Sequence, residues 1–175
     1  MSSKTQTLAR YVAGYAIGFS GFFLAIPYGV YLVAKTFREP TIGDSPIRIV
    51  LSALLGLVGL GFALWSNAAL LFKGKGGPTD MFNVAITPRT KHLVITGPYR
   101  FSRNPMVFGA FSWYFALALY WNSMTAVAVV AALLMLVRFY LKATEEKRLL
   151  KDFGTEYEQY RRRVAMIIPW PKKGS

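Results

Sequence analysis

The chain has 175 residues, 54% of them hydrophobic, and a formal net charge of +13. This length suits one domain, and the apolar share exceeds that of an ordinary soluble domain. The chain has no cysteine, which excludes a disulfide framework, thiolate zinc sites and a cysteine nucleophile, and its one histidine, His92, argues against a histidine metal cluster or a Ser-His-Asp triad. Because the apolar residues lie in long uncharged runs, the composition favours an integral membrane protein.

These apolar runs predict four transmembrane helices. In chain order they cover residues about 10–34, 49–72, 105–121 and 123–142. The first two are long enough for the roughly 20 residues with which a helix crosses a bilayer. The uncharged run that begins at Pro105 is too long for one span and is interrupted by the sequence YWNSM. Asn122 and Ser123 in it favour a turn and a helix start, so two short spans are predicted to form a hairpin.

The charged residues predict how these helices are oriented. The 73–104 loop holds six basic residues and one acid, and residues 138–175 hold ten basic residues and five acids. The positive-inside rule therefore places the 73–104 loop, the 143–175 tail and both termini in the cytoplasm, with an inner or plasma membrane as the predicted location. The 35–48 loop then lies outside, although it carries three basic residues and two acids. The net positive charge is explained by its role in orienting the helices and by attraction to anionic lipids. The predicted partner is therefore a lipid bilayer and not nucleic acid.

The predicted fold is therefore an all-α integral membrane protein, a single domain over residues 1–175 with four transmembrane helices and a helical tail. HLVIT at 92–96 is predicted to be extended, and GPYR at 97–100 to be a turn. The tail is predicted to continue the fourth helix until Gly154 breaks it. A second, amphipathic helix is expected there because bulky residues recur at helical spacing at Phe153, Tyr157, Tyr160 and Val164.

Arginines flank the start of the third predicted helix. Asn104 is a preferred N-cap residue and Pro105 a preferred first helical residue, so Arg100 and Arg103 can be read as topology signals only. Two arginines beside the free N–H groups of a helix also make an anion site. A cofactor carboxylate or a lipid phosphate would suit such a site equally well, and both interpretations remain open.

A pair of glutamates follows the fourth predicted helix. Lys142 can pair with Glu146 on a solvated helix face, or one carboxylate can bind ribose hydroxyls or an ammonium group. Adjacent helical residues diverge by about 100°, so only one of the two can face a given pocket. If the helix continues unbroken, Glu145 lies on the same face as Arg138, which favours Glu145.

The order of these motifs resembles a known family. The chain reads LVITGPYRFSRNPM, then a two-helix hairpin, then EEKRLLKDFGTEYEQYRRRV and IIPW. This pattern, over roughly Lys91 to Trp170, resembles the integral-membrane methyltransferases related to isoprenylcysteine carboxyl methyltransferase and phospholipid methyltransferases. The resemblance implies S-adenosylmethionine as methyl donor, in a pocket formed by the cytoplasmic ends of the last two spans and the tail. The implied acceptor is lipophilic or membrane-accessible, namely an isoprenylcysteine carboxylate, a phospholipid amine or a thiol.

The resemblance also implies a set of cofactor-binding residues. They are Leu93, Val94, Gly97, Tyr99, Arg103, Asn104, Pro105, Glu145, Glu146, Tyr157 and Tyr160. Arg103 suits the cofactor's carboxylate, and either glutamate suits its ammonium group or ribose; no catalytic residue and no metal site is implied. Two positions depart from the pattern, since Asn104 stands where the eukaryotic relatives have histidine and Val107 stands where tyrosine is common. Two alternatives remain, a membrane reductase related to sterol reductases and a non-catalytic membrane protein that retains the fold.

Overall fold

Helices make up most of the described chain. The computed structural model describes residues 3–37, 39–40, 45–74, 80–81, 84–85 and 92–169. The α-helices are α1 (Ser3–Phe19), α2 (Ile26–Thr36), α3 (Pro46–Ala69), α4 (Pro105–Tyr120), α5 (Met124–Ala143) and α6 (Glu145–Arg163). Two π-helical stretches, Ser20–Ala25 and Leu70–Gly74, extend α1 into α2 and lengthen α3. The short strands β1 (Asp80–Met81) and β2 (Val84–Ala85) pair antiparallel, and Gly97–Arg100 forms a 3-10 helix.

Three of the helical stretches are long and apolar enough to cross a membrane. They are Val12–Thr36, Pro46–Gly74 and Met124–Ala143, and they coincide with the first, second and fourth predicted spans. The third predicted span corresponds to α4, which has 16 residues. A helix of that length covers about 24 Å, less than the roughly 30 Å of a bilayer's hydrocarbon core. The helical class is therefore confirmed, whereas the count of four spans stays a prediction.

Helix α4 packs closely against α3 through glycines. A Cβ atom placed on Gly59 would lie 2.7 Å from the carbonyl oxygen of Gly109 and 2.7 Å from the backbone nitrogen of Trp113. A Cβ atom on Gly109 would lie 2.6 Å from the backbone nitrogen of Ala63. Small residues let helix backbones approach in this way, and they are typical of helix interfaces in membranes. The α3–α4 contact thus depends on the absence of two side chains.

The apolar core lies among α2, α4 and α5. Its buried members are Val30, Ala34, Phe111, Tyr114, Ala118, Ala126 and Val130. The outer faces of α3 and α5 instead expose large apolar side chains such as Leu57, Leu64 and Phe139. Such an extensive exposed apolar surface is typical of a protein that faces lipid. The described helices therefore have the exterior that a bilayer requires.

The turn between α4 and α5 is held by the end of α2 and the start of α3. Asn122 has a positive φ of 54°, and the Ser123 side chain caps α5 by accepting from Ala126 N, as the sequence predicted. The Ser123 hydroxyl also donates to Phe37 O at 2.7 Å. Arg48 donates to the carbonyl oxygens of Leu119 and Tyr120 at the end of α4. A cation is favourable at a helix C-terminus, which gives one basic residue of the 35–48 loop a structural role.

The start of the tail differs from the sequence prediction. Helix α5 ends at Ala143, and Thr144 (φ −115°, ψ −67°) separates it from α6, so the tail does not continue the fourth helix without a break. Gly154 has φ 52° and ψ −126° inside α6, which confirms the predicted interruption. Residues 92–96 form neither helix nor strand, although Thr96 is extended, and 97–100 form a tight turn of 3-10 helix, as predicted. Residues 170–175 of the predicted tail and 75–79, 82–83 and 86–91 of the predicted loop lie outside the described residues.

Candidate functional site

A buried ion pair joins the segment before α4 to the first turn of α6. Arg103 Nη1 donates to Glu146 Oε1, and the two side chains are only 8% and 9% exposed. Burial of two charges is costly unless they pair and bond further polar groups. Arg103 also lies 3.4 Å from the Tyr157 hydroxyl, measured from Nη1. The structure thus brings three of the predicted site residues into contact.

Glu146 is the more buried of the two glutamates. The preference for Glu145 assumed an unbroken helix from Arg138, whereas Thr144 separates α5 from α6, so that preference stays a prediction. Glu145 instead lies 3.6 Å from Arg148 and retains 36% exposure. Burial in the surrounding protein raises the pKa of Glu145, and the neighbouring Glu146 carboxylate raises it further. The two glutamates therefore have different environments, since Glu146 is buried in the pair with Arg103 and Glu145 is partly buried.

The two tail tyrosines connect α6 to the 97–102 segment. Tyr157 is 1% exposed, and its ring centroid lies 6.2 Å from that of Tyr160. The Tyr160 hydroxyl donates to the carbonyl oxygen of Tyr99 at 2.6 Å and approaches that of Ser102 at 3.4 Å. Burial raises the pKa of Tyr160 despite the opposing effect of Arg103. The hydroxyl thus keeps the proton that it donates, and α6 is fixed to the segment before α4.

Residues 93–99 lie against the end of α3. Val94 and Tyr99 are buried with Ala69, and Leu93 is half-buried. Gly97 has φ 64°, and a Cβ atom there would come within 3.4 Å of Trp65 Nε1. A positive φ strains residues that carry a Cβ atom, so the turn requires glycine.

Asn104 and Pro105 begin α4 as predicted, but the Asn104 side chain does not cap the helix. It donates through Nδ2 to Met166 O at 3.0 Å, while Pro105 is buried at the first helical position. Ser102, which sequence reasoning missed, is fully buried beside them. Its place two residues before Asn104 is compatible with the local hydroxyl-to-backbone turn that serine favours, and this was the available signal. The Ser102 hydroxyl accepts from Asn104 N at 3.1 Å.

Two of the residues singled out from the sequence lie away from this cluster. Arg100 is exposed and its guanidinium group lies 5.4 Å from the ring centroid of Phe101. The predicted pair of arginines is therefore separated, and only Arg103 joins the buried cluster. Val107 is half-buried and packs on the core of α2, α4 and α5. At this departure from the family pattern, the valine side chain contributes to the apolar core.

One buried donor of the cluster is unsatisfied. Arg103 Nε has no hydrogen-bond partner among the described residues. It lies on a different edge of the guanidinium group from Nη1, the atom that Glu146 holds. A buried donor without a partner costs free energy, which a ligand acceptor would recover. The cluster thus combines a buried cation, one of whose donors has no partner among the described residues, with a partly buried carboxyl group at Glu145.

Comparison with known proteins assigns the chain to a family. A family model described as phospholipid methyltransferase matches residues 47–156, more than half of the chain. The chain belongs to the phospholipid methyltransferase family. The predicted family is confirmed; the match covers the predicted range from Lys91 as far as residue 156 and extends it back through most of α3.

Two curated relatives support this assignment. Methanethiol S-methyltransferase 1 of Bradyrhizobium diazoefficiens is 36% identical over 89 residues, which are 49% of this chain and 28% of that protein. Protein-S-isoprenylcysteine O-methyltransferase of Schizosaccharomyces pombe is 31% identical over 121 residues, which are 67% of this chain and 49% of that protein. The chain thus aligns with less than half the length of either relative. No solved structure matches it.

Proposed function

We propose that this chain transfers a methyl group from S-adenosylmethionine to a lipophilic or membrane-accessible acceptor. The observation that carries the proposal is the buried Arg103–Glu146 pair, with Tyr157 beside it, at the ends of the apolar helices α4 and α5. Membership of the phospholipid methyltransferase family supports methyl transfer, and both curated relatives are named as methyltransferases. A polar cluster of this kind at the end of apolar helices suits a reaction between a polar donor and an acceptor that reaches it from the bilayer.

The residues of the cluster fit the polar groups of S-adenosylmethionine. Its carboxylate would satisfy Arg103 Nε, the buried donor without a partner, in a charge-assisted hydrogen bond. The partly buried carboxyl group of Glu145 would accept from the ammonium group or the ribose hydroxyls. The backbone at Leu93 and Val94, which belongs to no helix or strand, would offer N–H and carbonyl groups to the adenine edge. Gly97, Asn104 and Pro105 would shape this pocket through the turn and the helix start that they form.

The chemistry that the bound donor supplies is a methyl group on a positively charged sulfur, which an acceptor displaces in line. The chain's own contribution is orientation and the exclusion of water. Arg103 and Glu146 hold the donor's polar end in one orientation. Tyr157 and Tyr160 fix α6 against the segment before α4 and so close the site on the side of the tail. Thiolate and carboxylate acceptors are anions already, so they need no general base, and we place them ahead of amines.

The same proposal includes the arrangement in the membrane. We infer that α1–α2, α3, α4 and α5 form four spans, with both termini and the Arg103 cluster on the cytoplasmic side. The distribution of basic residues supports this orientation. The acceptor would then approach from the cytoplasmic leaflet and the donor from the cytoplasm.

Labelling of membranes tests the proposal. Membranes that contain the chain are incubated with S-adenosylmethionine labelled in its methyl group, and the labelled product is extracted and identified. We expect label in an extractable product; release of labelled methanol by alkali would identify a carboxyl methyl ester, and alkali-stable label a thioether or amine. Membranes with the Arg103→Ala variant are the control, with Arg162→Ala as a matched exposed arginine. Equal label with wild type and Arg103→Ala would contradict the assigned site.

A further inference from the structure

The segment that follows α6 lies across the residues that begin α4. We call residues 164–169 the strap. Ser102 and Ala165 form a parallel bridge, and Arg103 N donates to Ala165 O at 2.8 Å. Asn104 N donates to Met166 O at 3.0 Å, and Ile167 is only 6% exposed. The strap therefore contacts the backbone of Arg103 directly.

Asn104 holds the strap at the carbonyl oxygen of Met166. Met166 O accepts from Asn104 N and from Asn104 Nδ2, each at 3.0 Å, and lies 3.4 Å from the Ser102 hydroxyl. Both Asn104 donors are thus used on the strap, and its side chain leaves the N-terminus of α4 uncapped. A side-chain N-cap would ordinarily contribute about 1 kcal/mol to the stability of the helix. The Asn104 side chain gives up this contribution and bonds the strap instead.

The strap also connects the two halves of the Arg103 cluster. It continues directly from α6, which carries Glu146, Tyr157 and Tyr160. The backbone of Arg103 is therefore held by the strap, while its side chain is held by α6. If the strap opens, its hydrogen bond to the backbone of Arg103 is lost, and Ile167 becomes exposed.

We propose that Asn104 is a positioning residue that holds the strap closed over Arg103 and so controls the retention of an adenosyl ligand. This inference rests on the proposed function, and it assigns Asn104 to the strap instead of to the cofactor. A ligand that binds Arg103 in the closed arrangement stabilises the closed strap, by reciprocity between the two equilibria. Strap opening is then the step that releases the ligand.

Limited proteolysis of the purified protein in detergent tests the first part without any ligand. Trypsin can cut after Arg163, which is exposed, and release a peptide that begins at Val164. Asn104→Asp keeps the size of the side chain but removes the Nδ2 donor. Loss of that hydrogen bond predicts release about five- to tenfold faster than in wild type, since opening governs cleavage. Asn104→His retains an N–H donor and should give an intermediate rate.

Two controls keep this result specific. Gln159→Ala changes an exposed polar residue of α6 and should leave release at the wild-type rate. Cleavage after Lys151, also exposed, reports on general unfolding and should be the same in every variant. Ser102→Ala removes a second strap contact and should also speed release, which covers the case in which Asn104→Asp folds poorly. Release at the wild-type rate in both Asn104→Asp and Ser102→Ala would overturn the positioning role.

The second part uses S-adenosylhomocysteine as the probe. Saturating ligand should slow release of the Val164 peptide from wild type, and the ligand should dissociate faster from Asn104→Asp by a similar factor. Binding to wild type without slower release would overturn the coupling between strap and ligand. Absence of binding to wild type would instead be a failure of the proposed function, and the ligand-free proteolysis would still decide whether Asn104 holds the strap.

Discussion

Arg103 and Glu146 form a buried ion pair although 43 residues separate them in the chain. The whole α4–α5 hairpin lies between the two residues, and the pair closes it by joining the segment before α4 to α6. Pairing of this kind contributes little net stability by itself, but loss of one partner leaves a buried charge uncompensated. The ion pair is therefore a sensitive position at which to test the site.

Glu146→Gln should destabilise the protein strongly. The amide cannot compensate the buried guanidinium charge of Arg103, and removal of one member of a buried pair costs about 3–5 kcal/mol. Glu158→Gln is the matched control, because it removes an exposed partner of Arg162 from the same helix and should cost less than about 1 kcal/mol. Thermal unfolding in detergent at neutral pH measures both. Equal midpoints for the two variants would show that the pair is not buried in the membrane-extracted protein.

The stability of the protein should depend on pH through Glu145. Burial and the neighbouring Glu146 raise the pKa of the Glu145 carboxyl in the folded protein above its value in the unfolded chain. The folded state then binds the proton more tightly, so wild type should gain stability relative to Glu145→Gln as the pH falls through the folded pKa. The penalty for ionised Glu145 is complete above that pKa and absent below the unfolded pKa. Unfolding midpoints of the two proteins, compared from neutral to acidic pH, check the sign; a relative loss of wild-type stability on acidification would contradict it.

Gly59→Ala should weaken the contact between α3 and α4. The added Cβ atom would meet backbone atoms of Gly109 and Trp113 at 2.7 Å, so the helices must move apart. We expect a loss of about 1–3 kcal/mol, as for other overpacked sites. Gly61→Ala is the matched control, since nothing lies within 4 Å of its Cβ position and alanine is the better helix former. Thermal unfolding should rank Gly61→Ala at or above wild type and Gly59→Ala below it.

Cysteine labelling tests whether α5 crosses the membrane in the predicted orientation. The chain has no cysteine, so single substitutions report one position at a time. Met124→Cys, at the exposed start of α5, and Thr155→Cys, exposed on α6, should react with a membrane-impermeant maleimide from opposite sides of oriented vesicles. Reaction of both from the same side would contradict the predicted orientation.

The sequence predicted the features that depend on local composition. Apolar runs located the helices, and the turn at Asn122–Ser123 and the break at Gly154 followed from residues that favour those conformations. The choice of Glu145 over Glu146 as the cofactor carboxylate rested on a helix unbroken from Arg138, which Thr144 interrupts, so that choice stays a prediction. The role of Asn104 was incomplete, since Met166 is 62 residues away and no local pattern places its carbonyl oxygen there. Long-range contacts of this kind required the structure.

The measurement that tests the account most directly is calorimetric titration of the purified protein with S-adenosylhomocysteine, S-adenosylmethionine and NADPH. We predict that both adenosyl ligands bind to wild type and to Arg162→Ala, and that NADPH binds to neither. Arg103→Ala and Glu146→Gln should bind the adenosyl ligands at least tenfold more weakly. This is the loss expected for one charge-assisted hydrogen bond of about 1.5–3 kcal/mol. No adenosyl binding to folded wild type would contradict the account, and binding of NADPH alone would favour a reductase. Unchanged affinity in Arg103→Ala would contradict the role assigned to the buried pair.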